Sequence, residues 1–124
     1  MNLLVNFFKS NNDKRNKEYL FALNKNIENE YIDTIFLFVE DLSHAEGIES
    51  EKVKIIETDS RPTFQDIIDF GNKELKGEKC IISNTDIFMD DTLSHVYNND
   101  IFGLFLTLTR WDGKPDGTID FYDA

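Results

Sequence analysis

Four short apolar runs recur along the chain, and the two widest gaps between them carry helical patterning. They are NLLVNFF (2–8), DTIFLFVE (33–40), KVKIIET (52–58) and KCIISN (79–84). Each has the length of a strand, and none is long enough to cross a bilayer. Between the first two, NNDKRNKEYLFALNKNIENE (11–30) places Leu20, Leu23 and Ile27 at helical spacing with charges on the other side. Between the third and fourth, Thr63 opens a second helix with Phe64, Ile67, Ile68, Gly71 and Leu75 on one face. Thr63 and Asp66 have the spacing of a capping box, with Asp in place of Glu or Gln.

Strands alternating with helices predict an α/β fold, Rossmann-like and three-layered, with a mostly parallel central sheet covered on both faces. The segment LSHAEGIES (42–50) reads as a loop, DTLSHVYNN (91–99) as a short helix begun by Asp91, and FGLFLTLTR (102–110) as a fifth strand. The 124 residues suit a single domain with one core, and eleven Phe argue for a folded chain. The start lacks the basic flank and cleavage site of a signal peptide. The single cysteine, Cys80, reads as a small apolar strand residue in a cytoplasmic protein.

The formal charge of −11 speaks against nucleic acid as a partner. A phosphorylated ligand would need local help from a divalent cation or from well-placed Arg and Lys. In a parallel sheet, ligands gather beyond the carboxyl ends of the strands, near a switch in strand order. The segments after the strands carry Lys9; Glu57, Thr58 and Arg61; Asn84 and Asp86; and Arg110 and Trp111. Read alone, Asn84 and Asp86 fit either a site or a plain turn bonding to nearby amides, and Arg61 fits either an anion contact or an ion pair with Asp59.

Asn84-x-Asp86 after a buried strand, RPTFQD (61–66) upstream and LTRWD (108–112) downstream give a more specific pattern. Together with the strand order it resembles a bacterial and viral group of glycosyltransferase-like domains with the A-type nucleotide-sugar-binding (GT-A) fold. The chain resembles the first half, or somewhat more, of such a domain. The resemblance implies transfer of a sugar from a nucleoside-diphosphate sugar to a glycan or other acceptor hydroxyl. It implies Asp86 as ligand to Mn²⁺ or Mg²⁺, with Asn84, Arg61, Glu57, Thr58, Arg110 and Trp111 around the donor. Two other readings stay open: a nucleotide-sugar-binding module without transferase activity, and a structural or oligomerising domain. A domain covering only part of the resembling fold would leave apolar surface or a strand edge bare, so a homo-oligomer is also expected.

Overall fold

The structure, a computed structural model, describes residues 1–107 and the backbone of residues 111–113 and 119–121. The chain forms an α/β fold on a four-stranded, all-parallel sheet. Its strands are β1 (Asn2–Asn6), β2 (Thr34–Val39), β3 (Val53–Glu57) and β4 (Cys80–Ser83), in the order β3-β2-β1-β4. Leu3 pairs in register with Ile35 on one side and Ile81 on the other, and Leu37 with Ile55. The two inner strands are buried on both faces, which is why they read as unbroken apolar runs. The edge strands are half-covered, and Cys80 at the head of β4 is exposed rather than enclosed.

Alternation along the strands divides the core in two. Leu3, Val5, Ile35, Leu37 and Val39 face one way and pack with Tyr19 and Leu23 of helix α1 (Asp13–Glu28). Leu4, Phe36 and Phe38 face the other way and pack with Ile67 and Leu75 at helix α2 (Phe64–Glu74) and the residue capping it. Asn12 caps α1, its Oδ1 accepting from the Lys14 N–H at 3.0 Å. The expected capping box opens α2: the Thr63 N–H donates to Asp66 Oδ2 (2.8 Å) and the Asp66 N–H to Thr63 Oγ1 (3.2 Å).

Several sequence expectations shift by a residue or a face. Leu20 is exposed on α1, whose buried positions are Tyr19, Ala22, Leu23 and Asn26. Phe64 and Ile68 are exposed on α2, whose inward face runs through Ile67 and the half-buried Phe70. The loop at 42–50 contains a 3₁₀ turn, Leu42–Ala45. The helix expected at 91–99 is a 3₁₀ turn, Asp91–Leu93, running into α3 (Ser94–Tyr97), and Asp90 rather than Asp91 caps it by accepting from the Thr92 N–H.

The fifth strand does not form over 102–107. The Phe102 N–H turns back to Asp100 Oδ1, the Leu104 N–H reaches the Ile101 carbonyl, and Gly103 takes φ +77°, a left-handed value open to glycine. Topology gives a second reason. Leu93 packs on the α1 face of the sheet, whereas α2 crosses from β3 to β4 over the opposite face. A further parallel strand outside β4, reached over the α1 face, would need a crossover of the opposite, strongly disfavoured hand. Beyond it, β5 (Trp111–Gly113) and β6 (Ile119–Phe121) pair antiparallel with each other.

Candidate functional site

The strand order places the switch point between β1 and β4. From β1 the chain crosses outward to β2 over one face, and from β3 it returns past β1 to β4 over the other. In sheets of this kind ligands bind beyond the carboxyl ends of the strands at such a switch point.

Three segments meet at that edge through hydrogen bonds. Thr85, nearly buried, donates its hydroxyl to the Asn6 carbonyl at the end of β1 (2.6 Å). Asn6 Nδ2 in turn donates to the Pro62 carbonyl, just before α2 (3.4 Å). The turn after β4, the end of β1 and the start of α2 are therefore tied together, and the Ile87 N–H closes the turn on the Asn84 carbonyl (3.3 Å). With Thr85 facing inward, Asn84 and Asp86 on either side are exposed, and neither side chain makes a hydrogen bond among the described residues. Their amide and carboxylate are open to a ligand, not spent on neighbouring backbone.

The next part of the chain is held from α1. Asn26, at 2 % exposure, donates from Nδ2 to the Ile87 carbonyl (3.0 Å) and accepts the Met89 N–H on Oδ1 (2.8 Å). Asn29 adds bonds from Nδ2 to the Met89 and Asp90 carbonyls, both 3.2 Å. Sequence reasoning missed Asn6, Thr85 and Asn26. Asn26 left one signal, a polar residue in line with Ala22 and Leu23 on the core side of an amphipathic helix.

Arg61 makes no ion pair with Asp59 or any other carboxylate among the described residues. Its guanidinium carbon lies 5.7 Å from the centre of the Phe8 ring. Beside it, Glu57, Thr58, Asp59, Ser60 and Asp66 line an open hollow of about 370 Å³. The Thr58 hydroxyl is occupied, donating to the Ser60 carbonyl at 2.6 Å. The Thr63 backbone N–H holds the Asp66 carboxyl below its ordinary value, so Asp66 is an anion at neutral pH. A hollow edged by Glu57, Asp59 and Asp66 repels phosphate and accepts from hydroxyl or amino donors, as on a sugar or a base. Residues 84–86 do not line it.

Lys9 follows β1 at the same edge and is exposed. Arg110 lies outside the described residues, and so does the side chain of Trp111, whose backbone begins β5.

Among the described residues no three His, Cys, Asp or Glu side chains converge as a resident metal requires. Asp86 offers one carboxylate beside a neutral amide. That donor set fits an ion carried in by a ligand's own phosphates, since Mg²⁺ is commonly held by one or two carboxylates with phosphate oxygens and water completing the shell. Among the described residues no helix is long and apolar enough to cross a membrane. No protein-family model matches the chain, and no curated protein or solved structure is significantly similar to it.

Proposed function

We propose that this chain binds a nucleoside-diphosphate sugar at the carboxyl edge of its sheet and acts as a glycosyltransferase-like domain. The observation that carries the reading is the tie between three segments. Thr85 to Asn6 and Asn6 to Pro62 tie the Asn84–Asp86 turn, the end of β1 and the Arg61 segment together at one edge, with Asn84 and Asp86 exposed and without side-chain hydrogen bonds among the described residues. Glu57 and its hollow suit the hydroxyl-rich or amino-bearing parts of such a ligand, and Arg61 suits its phosphates. Asp86 would hold a divalent ion together with the ligand's phosphates, and that ion would supply stabilisation of charge on the departing diphosphate.

Transfer would form a bond from the acceptor oxygen to the anomeric carbon and break that carbon's bond to the diphosphate. The electron pair leaves with the diphosphate, and the acceptor proton passes to water or to the diphosphate itself. Crystals soaked with uridine or guanosine diphosphate and Mn²⁺ test the reading. Density beside Asp86 and Arg61 is expected, and a ligand bound elsewhere or nowhere overturns it. Release of free sugar or transfer to an added acceptor then separates a transferase from a module that only binds.

A second copy of the chain is the protein partner this reading favours, because Phe102, Leu104 and Phe105 are 91 %, 62 % and 86 % exposed. Sedimentation at rising concentration should show a dimer, and a monomer throughout refutes it.

A further inference from the structure

We infer that Arg15 and Arg61 grip the diphosphate part of the ligand together, so that the protein's own guanidiniums meet its charge and binding survives removal of divalent metal. The inference takes its ligand from the nucleotide reading above, and adds a residue and a source of charge to it.

Four side chains from three segments make one run of contacts. Arg61 lies 5.7 Å from the Phe8 ring centre, the Phe8 and Tyr19 rings meet edge to face at 5.1 Å, and Arg15 lies 5.9 Å from the Tyr19 ring centre. Both arginines belong to the carboxyl edge of the sheet. Phe8 follows β1, Arg15 is in the first turns of α1, which starts at that edge, and Arg61 precedes the cap of α2, which starts there too. Among the described residues Arg61 has no carboxylate partner and Arg15 has only a 3.9 Å contact with Glu18, both of those side chains about half exposed.

A guanidinium lying over an aromatic ring keeps the N–H groups around its rim available for phosphate oxygens, and the ring limits the motion lost on binding. A diphosphate, with oxygens on two phosphorus atoms, can engage two separate guanidiniums more readily than a single phosphate. At physiological ionic strength charges beyond about 8 Å are largely screened, so the pair works less against the overall charge of −11 than against its near neighbours, Glu18 beside Arg15 and the carboxylate-edged hollow beside Arg61. Local help is also what the turn after β4 leaves wanting, since Asp86 with neutral Asn84 recruits a cation weakly.

The test is calorimetric titration of the full chain with inorganic pyrophosphate, uridine diphosphate and guanosine diphosphate, each in EDTA and in Mn²⁺. The proteins are the wild type, Arg15→Met, Arg61→Met, and Lys73→Met as a charge control from the last turn of α2, at the other end of the sheet. Thermal unfolding establishes that each variant is folded. The expected result is binding in EDTA within a few-fold of that in Mn²⁺, tenfold or greater weakening by each arginine substitution, and no change with Lys73→Met. Binding that disappears in EDTA, or that Arg15→Met leaves intact, overturns the inference. If nucleotides bind through Mn²⁺ indifferent to both arginines, the nucleotide reading stands and this one falls. If pyrophosphate binds through the arginines and nucleotides bind no better, the grip stands and the nucleotide reading falls.

Discussion

Replacing Asn26 by alanine should be among the most damaging single changes available in α1. The side chain is fully enclosed and joins positions more than sixty residues apart in sequence, donating to the Ile87 carbonyl at 3.0 Å and accepting the Met89 N–H at 2.8 Å. Each bond has a net worth of about 1 kcal/mol. Truncation also leaves a carbonyl and an N–H unpaired in a half-buried seam, at about 1 kcal/mol each where water partly reaches. The total is roughly 2–4 kcal/mol, a large share of the 5–15 kcal/mol that holds a domain together. At about 3–6 °C per kcal/mol for a chain of this size, the midpoint of thermal unfolding should fall by roughly 6–24 °C. Urea unfolding followed by circular dichroism should show a lower midpoint at unchanged slope. A loss below about 1 kcal/mol would mean that the segment after the β4 turn is held by packing alone and that the clamp is incidental. Asn26→Asp sharpens the test, because it keeps the shape and the acceptor but loses the donor. Burial raises the native pKa of such a carboxyl above its unfolded value. The variant should therefore lie nearest the wild type at acid pH and lose ground as pH rises.

Thr85→Val removes the hydroxyl that reaches the Asn6 carbonyl while keeping the shape, and should cost about 1–2 kcal/mol in thermal unfolding. No measurable loss would mean that the tie between β1 and the β4 turn does not hold the edge together. Asp66, held below its ordinary 3.8 by the Thr63 N–H, contributes stability above that value and loses it as pH falls through the depressed native one. Asp66→Ala should accordingly flatten the fall in urea midpoint as pH drops below the ordinary carboxyl value, and an unchanged acid limb would refute the assignment. Burial pushes the Cys80 thiol above its ordinary 9.0, although the residue as a whole is exposed. Its reaction with a disulfide reagent should reach half-maximal rate at a higher pH in the native protein than in urea, and coincident midpoints would contradict this.

The parallel sheet and both long helices were legible because each rests on a local rule. Strands buried on both faces need continuous apolar runs, and Thr63 with Asp66 announces a helix start regardless of what surrounds it. The faces of the helices were less legible. Which of Leu20 or Tyr19, and of Ile68 or Ile67, turns inward depends on where the sheet lies, which spacing alone leaves off by one position. The fifth strand failed for a reason that no window of sequence contains. FGLFL has the composition of a strand, but the path of α2 and of the 87–97 segment leaves it no favoured place as a further parallel strand beside β4. At the proposed site, the exposed residues Arg61, Asn84 and Asp86 were visible as polar groups after strands. Asn6 and Thr85, which tie their segments together, and the clamp residue Asn26 were not, because their bonds run to main-chain atoms distant in sequence.

That the β4 turn is fastened by an inward hydroxyl and by main-chain atoms has an evolutionary corollary. Positions 84 and 86 contribute nothing to the fastening, so their side chains can be exchanged while the frame stays fixed. If the proposed ligand reading holds, a lineage of such proteins would drift from one ligand preference to another through these two positions at little cost in foldability. By the same reasoning, a library randomised at 84 and 86 alone should consist almost entirely of well-folded members.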